Sequence, residues 1–270
     1  MRFLTILFTF SLVLTLTHKA TGQGFSVAPS RIFFSGNPGE TTSQTINFSN
    51  TSNAPISFTT RIQDWNRDSV GVKIYYEGGT QPLSNAKWLS IASNSIVMQP
   101  GEIKKVVVSM QIPKDANQLT HSMIFFTQVK EQQAQNSNGT GIGINLLLEV
   151  GVQAYYVPKG LHAGEIEFIS FDDRGAFNDG KIKSRRMALK ILNNGHLNKD
   201  AFIKVELTNK ETGEEIKIDP KSIAMLPGAT QTVLLDLPEN LKGKFLVVAL
   251  IDAGSVYDLK VAEKEILYRP

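Results

Sequence analysis

The sequence has 270 residues, no cysteine, and 28 basic against 25 acidic side chains, which gives a formal net charge of +3. Nucleic-acid-binding proteins usually carry a strong basic excess or a basic stripe, so this balance argues against a nucleic-acid partner. A chain without cysteine has no disulfide framework and no thiol for a lipid anchor, so burial of apolar surface must hold it together. The length allows one large domain or two of ordinary size.

Residues 1–22 have the three parts of a secretory signal peptide. A charged start at Met1–Arg2 precedes an apolar run at Phe3–Thr17, and small residues follow at Ala20–Gly22. The apolar run is shorter than the ~20 residues of a membrane-spanning helix, and no later stretch is long and apolar enough to span. We therefore expect an exported chain that begins near Gln23. Its 26 basic and 25 acidic residues would give a net charge of +1, and it would have no membrane span after signal cleavage.

The rest of the chain consists of short apolar segments separated by turns rich in Pro, Gly and Asn. Apolar residues alternate cleanly from Ile56 to Ile62, which is the period of a half-buried strand. No segment shows a helical period of useful length, so the pattern predicts an all-β chain of the sandwich or barrel class. The predicted strands of the first half are 26–34, 42–48, 56–62, 72–76, 106–112, 121–130 and 144–157.

The charge density changes near residue 158. Residues 23–158 carry 9 basic and 8 acidic side chains, whereas residues 159–270 carry 17 of each. Pro158 ends a predicted strand because proline cannot donate to the ladder. We therefore predict two domains, 23–158 and 159–270, and a single larger barrel is the rival interpretation. The predicted strands of the second half are 165–171, 187–192, 201–207, 230–237 and 244–251.

The sequence contains no motif typical of an active site or a metal site. Apart from His18 in the signal, the histidines are His121, His162 and His196, and none has the spacing of a zinc site. The segment Asp64–Asp68 resembles the start of a calcium loop but lacks the glycine and the closing glutamate. We interpret it as a turn that closes the preceding strand, with Trp65 packed on the sandwich. We expect no enzyme activity and no cofactor.

Arg31 stands in an otherwise apolar predicted strand, Val27–Phe34. A charge in such a strand is costly unless it is paired or reaches a cleft. The alternative is an arginine on an edge strand that points to water.

The residues around Arg31 resemble the start of the periplasmic usher-pathway chaperones of pilus assembly. The resemblance covers nearly the whole chain after the signal and depends on the order and spacing of its motifs. These are Ser30–Phe34, Thr45–Asn50, Trp88, Pro100–Glu102, Met123–Phe126 and Tyr155–Pro158, followed by Leu192–Gly195, Leu226–Gly228 and Ile251–Gly254.

The resemblance implies a fold, a location and a function. The fold is two tandem immunoglobulin-like β-sandwich domains in an angled arrangement, and the location is the periplasm. The function is that of a chaperone that binds pilin-like or other exported subunits by β-strand addition, with an outer-membrane usher as a further partner.

The resemblance also implies a set of binding residues. Arg31 matches the family arginine that anchors the C-terminal carboxylate of a subunit, whereas the family lysine on the last strand of domain one falls on Gln153. Glutamine lacks the charge that strengthens a carboxylate contact, and Arg185, Arg186 or Lys190 of domain two are candidates to replace it. The alternating residues that fill the subunit groove correspond to Ile144, Leu146 and Leu148. Packing of these three in the protein's own core is the alternative.

The missing lysine leaves a second function open. A structural or adhesive protein of the cell envelope would keep the same double-sandwich fold without binding subunits as a chaperone.

Overall fold

The computed structural model of the chain describes residues 24–129, 147–178, 183–238 and 241–268. In these ranges the regular structure is β apart from a short 3-10 turn at Ala86–Trp88, and no helix has the length and apolar character needed to cross a membrane. The strands up to Tyr156 are β1 (Phe25–Ala28), β2 (Arg31–Phe34), β3 (Thr41–Asn50), β4 (Ile56–Arg67), β5 (Lys73–Glu77), β6 (Leu89–Ile91), β7 (Ser95–Met98), β8 (Ile103–Gln111), β9 (Thr120–Val129) and β10 (Glu149–Tyr156). The later strands are β11 (Ile166–Asn178), β12 (Lys183–Asn193), β13 (Lys199–Asn209), β14 (Glu215–Met225), β15 (Thr230–Leu237), β16 (Gly243–Asp252) and β17 (Lys260–Tyr268).

Strands β1 to β10 form two sheets that enclose one core. One sheet has the order β1-β3-β8-β6, and the other has the order β2-β10-β9-β4-β5, with β7 also paired to β4. Phe34, Phe48 and Phe126 are completely buried between them, and the rings of Phe48 and Phe126 meet edge to face at 4.8 Å. Large aromatic side chains remove the most apolar area from water, so these residues dominate the stability of the first sandwich.

The chain changes sheets at Pro29. Strand β1 pairs antiparallel with β3, whereas β2 pairs parallel with β10. Pro29 lies between the two short strands, and because proline has no N–H to donate, it interrupts the ladder at the point where the chain passes from one sheet to the other. The single strand predicted over 26–34 is therefore two strands in different sheets. As a consequence, β2 lies beside β10 only from Arg31 onward.

Strands β11 to β17 form a second sandwich with its own core. Its sheets have the orders β11-β12-β15 and β14-β13-β16-β17. Strand β13 buries every second residue, as expected of a strand with one face on a core. Leu189, Ile203 and Val247 are completely buried there.

The prediction of an all-β chain of two tandem immunoglobulin-like sandwiches is confirmed. The sheets of the first sandwich end at Tyr156, and those of the second begin at Ile166. The domain boundary placed between residues 158 and 159 stays a prediction.

Candidate functional site

One edge of β10 is partly unpaired. Strand β9 pairs with β10 from Glu149 to Tyr156, whereas β2 covers the opposite edge only from Gln153 onward. Within the described residues, no strand pairs with that edge between Glu149 and Val152. The N–H and C=O groups of such an edge are free to pair with an added strand.

The three predicted groove-filling residues precede this edge. Leu148 is half-buried, and its carbonyl accepts a hydrogen bond from the backbone N–H of Gln128 at 2.8 Å. Leu148 is four residues before Val152, so the two have the same strand parity, which means that their side chains point to the same face of the strand. Val152 is completely buried in the core. Leu147, the neighbour of Leu148, has the opposite parity and is 55% exposed. Ile144 and Leu146 lie outside the described residues.

Arg31 lies where the unpaired edge ends. Its Cα is opposite that of Gln153 in the parallel pairing of β2 with β10. Its guanidinium Nη1 forms an ion pair with the Oδ2 carboxylate oxygen of Asp200, on β13 of the second sandwich. The Arg31 side chain is 30% exposed and that of Asp200 is 53% exposed. The predicted arginine therefore reaches a cleft and already holds a carboxylate.

Gln153 is buried and forms a hydrogen bond with Tyr155, the next residue on the same strand face. Its Oε1 accepts a hydrogen bond of 2.5 Å from the hydroxyl of Tyr155. Burial raises the pKa of Tyr155, so its hydroxyl remains a donor at neutral pH. The Tyr155 ring stacks on Phe33 with a centroid distance of 5.2 Å. Gln153 thus orients a tyrosine and brings no charge to the cleft.

Two further cations lie beside Arg31, and the sequence analysis missed both. Strand β4 continues to Arg67, so Asp64–Arg67 is not the turn we predicted. Arg67 and Lys73 are cross-strand partners in the β4–β5 hairpin. The Arg67 Cζ lies 5.6 Å, and the Lys73 Nζ 5.4 Å, from the ring centroid of Trp65. A usable signal was the spacing of two between Arg61, Gln63, Trp65 and Arg67, which places these residues on one strand face. This spacing continues beyond Ile62, where the predicted strand ended.

The environment disfavours the charge on both missed cations. Burial lowers the pKa of Lys73, and the charges of Arg67 and Arg31 add to this effect. Burial also lowers the pKa of Arg67, with a further contribution from Arg31. The Arg67 guanidinium donates one hydrogen bond of 2.6 Å to the carbonyl of Gly71. An anion bound nearby would relieve the repulsion among the three side chains.

The interface between the sandwiches has an apolar part and a polar part. Trp65 belongs to an apolar cluster that joins Met123, Phe125 and Tyr155 of the first sandwich to Leu226 of the second. Trp65 thus packs on its own sandwich, as expected, and also contacts the second. Beside the cluster is a cleft of about 610 Å³. Its lining includes Arg31, Arg67, Asp200, Phe202 and Asp252.

The cations of domain two that we considered as replacements for the family lysine make other contacts. Arg185 forms an ion pair with Asp173, and Arg186 forms one with Asp236. Neither of these arginines nor Lys190 is among the described residues that line the cleft. Within the same ranges, no group of three or more His, Asp or Glu side chains could hold a metal ion.

Comparison with known proteins bears on the fold. No family model matches the sequence, and no curated protein sequence matches it. The crystal structure of the YadV chaperone is similar over 90% of this chain and 100% of that chain, with a TM-score of 0.50 and 11% sequence identity. The chain has the fold of the YadV chaperone.

Other structures with this chaperone fold have slightly lower scores. The Salmonella enterica SafB chaperone in complex with the SafA pilin gives a TM-score of 0.47 at 12% identity, and the match covers 92% of this chain and 98% of that chain. The CsuC–CsuE chaperone–tip adhesion subunit complex of Acinetobacter baumannii gives 0.48 at 12% identity, with 88% and 97% covered. The chaperone fold that the sequence resemblance implies is confirmed by the comparison with YadV.

Proposed function

We propose that the protein is a periplasmic chaperone-like protein that binds pilus or other surface-structure subunits by β-strand addition along β10. The observation that carries this proposal is the unpaired edge at Glu149–Val152, which ends where β2 begins. The function is one of binding and not of catalysis. Backbone hydrogen bonds to an added strand supply affinity, and alternate side chains supply specificity.

The side chains that precede the edge support a groove-filling role. Leu148 is only half-buried although it has the parity of the core residue Val152. Apolar area that the protein leaves exposed is available for burial against a subunit. Ile144, Leu146 and Leu148 are spaced two apart in the sequence, so on an extended strand the three residues would fill successive positions of a subunit groove.

Arg31 supports a defined end point for the added strand. A subunit strand paired along the edge of β10 meets β2 at residue 31, because β2 occupies the edge from there onward. A carboxylate at the end of that strand would meet the Arg31 guanidinium in a charge-assisted contact. The ion pair with Asp200 supports the ability of this guanidinium to hold a carboxylate.

The location follows from the predicted signal peptide of residues 1–22. Export would place the protein in the periplasm together with other exported subunits, and an outer-membrane usher would then receive the complex.

A matched pair of substitutions tests the proposal. Leu148→Asp should abolish co-purification of subunits from the periplasm, because an unpaired charge in a dry groove costs several kcal/mol. Leu147→Asp adds the same charge one residue away on the exposed side of the strand, and it should leave capture unchanged. Circular dichroism of both variants would verify that the first sandwich remains folded.

If folded Leu148→Asp protein still captures every subunit that the wild type captures, strand addition along β10 is wrong. The structural or adhesive alternative would then take its place. That alternative is favoured by the neutral Gln153, which replaces the family lysine and makes only an internal hydrogen bond.

A further inference from the structure

We propose that Gly151 forms a subsite on the unpaired edge of β10, and that this subsite accepts an aromatic side chain of the added strand. The inference rests on the proposed function and specifies one residue type that a bound strand carries. We call the space above the Gly151 Cα, on the strand face that points away from the core, the Gly151 subsite.

The backbone of Gly151 faces the free edge. Successive residues of a strand direct their N–H and C=O groups to opposite edges, so residues two apart face the same edge. The N–H of Gln153 donates a 3.0 Å hydrogen bond to the carbonyl of Ser30, on the side where β2 lies. Gly151 precedes Gln153 by two residues, and β2 does not extend that far. Both backbone groups of Gly151 can therefore pair with an added strand.

No side chain shields this stretch of the edge on its outer face. Glu149 also points outward, but its carboxylate accepts hydrogen bonds of 2.8 and 2.9 Å from the Arg61 guanidinium and another from the Thr127 hydroxyl. Thr127 lies on β9 and Arg61 on β4, so these contacts hold the Glu149 side chain away from the free edge. Gly151 has no side chain at all. The two outward-facing residues thus leave room for a side chain of the added strand.

The floor of the Gly151 subsite is apolar. Phe125 on β9 is the cross-strand partner of Gly151. A Cβ added to Gly151 would lie 2.9 Å from the Sδ of Met123 and 3.3 Å from the Cε1 of Phe125, so both side chains lean over the glycine. They are the nearest side chains on this face for a residue of the added strand opposite Gly151.

The composition of the floor favours an aromatic occupant. The Phe125 ring meets the Tyr75 ring edge to face at 5.1 Å, and the Arg61 guanidinium lies 4.3 Å from its centroid. A further ring can extend this cluster, because aromatic pairs and contacts between sulfur and aromatic rings are favourable beyond the area they bury. A flat ring on the neighbouring strand can also cover the bare backbone of an edge glycine and reach the side chains behind it.

Titration calorimetry with a set of peptides tests the subsite. The parent is an acetylated heptapeptide of alternating Val and Ser that begins and ends with Val, and each of three probes replaces one Ser by Phe. All four have a free C-terminal carboxylate, so any contact with Arg31 is common to them. We expect one probe to bind the wild type about fivefold more tightly than the parent, the size of one aromatic pair. Leu at the same position should give a smaller gain.

Two substitutions in the subsite should remove the preference for Phe over Leu at that position. Gly151→Ala places a methyl group between the floor and the added strand, and it should leave the affinity for the parent unchanged. Phe125→Leu keeps the floor apolar but removes its ring. Phe168→Leu makes the same change in the second sandwich, where Phe168 packs against the core, and it should keep the preference. Circular dichroism would verify that each variant is folded.

The remaining outcomes separate the subsite from strand addition. If the three Phe probes bind the wild type no better than the parent does, or if Gly151→Ala weakens every peptide equally, the Gly151 subsite is overturned while strand addition stands. A preference for Phe that survives in folded Phe125→Leu protein would also overturn it. If neither the parent nor any probe binds the wild type, the proposed function fails, and this inference fails with it.

Discussion

His121 is a buried histidine beneath the aromatic residues of the interface. Its Nε2 donates a 2.9 Å hydrogen bond to the carbonyl of Trp65, and its ring lies 4.9 Å from the Trp65 ring. The other nitrogen, Nδ1, has no hydrogen-bond partner among the described residues. A proton added there would place a charge in a buried position without an acceptor. Burial accordingly lowers the pKa of His121 below its usual 6.5, although the Trp65 carbonyl and Asp64 oppose the shift.

We predict that the free energy of unfolding decreases as the pH falls below about 6.5. In that range the unfolded chain binds a proton at residue 121 and the folded chain does not, so acid favours unfolding. The loss levels off below the pKa of the folded state. Urea titrations from about pH 7.5 to about pH 5, the range over which histidine titrates, would measure it.

The exposed His162 supplies the control for this prediction. His121→Gln should flatten the dependence in that range, whereas His162→Gln should retain it. An unchanged slope in His121→Gln protein would contradict the assignment.

Of the cations in and beside the cleft, the sequence identified Arg31 and missed Arg67 and Lys73. Arg31 was detectable because a lone charge in an apolar strand needs an explanation. Arg67 was not, because its charged segment also fits a solvated turn, and Lys73 was not, because a lysine in the predicted strand 72–76 also fits a face that points to water. Their meeting with Arg31 depends on the pairing of β4 with β5 and on the position of the second sandwich, and neither is encoded in local spacing.

The β4–β5 hairpin is the element that joins the cleft to the second sandwich. At its tip Gly71 has a φ of +90°, and a Cβ added there would lie 2.2 Å from the Nε2 of Gln231. That amide also lies 3.4 Å from the carbonyl of Val70. A side chain at residue 71 would therefore strain the backbone and push Gln231 away from the hairpin.

We predict that Gly71→Ala destabilises the protein more than Gly213→Ala does. Residue 213 also has a positive φ, +75°, but an added Cβ meets nothing within 4 Å. Both substitutions should cost about 1 kcal/mol or more for the left-handed backbone. Gly71→Ala should cost roughly a further 0.5–1 kcal/mol for the lost contact with Gln231. Equal losses in denaturant titrations would show that the hairpin tip contributes nothing to the interface.

The short strands β6 and β7 of the first sandwich were missed, although they carry no charge. In the second sandwich, strands were predictable where apolar residues alternate and were missed where charged residues are frequent. The prediction for 230–237 coincides with β15, and the one for 201–207 lies within β13. Strands β14 and β17 were missed, and they are the two edges of one sheet. Charged residues are frequent in both, and β14 also contains Pro220. Edge strands tolerate both features, so their sequences resemble loops.

At the scale of the molecule, three clusters of buried apolar residues stabilise the described part of the chain. One lies within each sandwich, and the third joins them through Trp65 and Leu226. Strand β9 reflects this arrangement, because Thr120 to Phe126 are buried on both faces of the sheet. The outer face of that strand is covered by the interface.

We predict that Leu226→Asp uncouples the two sandwiches without unfolding either. A charge buried in the third cluster should cost about 3 kcal/mol or more, while the two separate cores stay intact. Calorimetry should show one transition for the wild type and two for the variant. Leu259→Asp adds the same charge at a position that is 60% exposed and should melt like the wild type. A single wild-type transition retained by Leu226→Asp would contradict the division into clusters.

The unpaired edge of β10 and Arg31 at its end would act on different steps if the protein binds subunits as we propose. A charge acts over about a Debye length, ~8 Å at physiological salt, so Arg31 would mainly affect how often a subunit strand meets the edge in a productive orientation. Backbone pairing along β10 would mainly affect how long the subunit stays. Speed of capture and lifetime of the complex would then depend on different groups, and evolution could adjust one without disturbing the other.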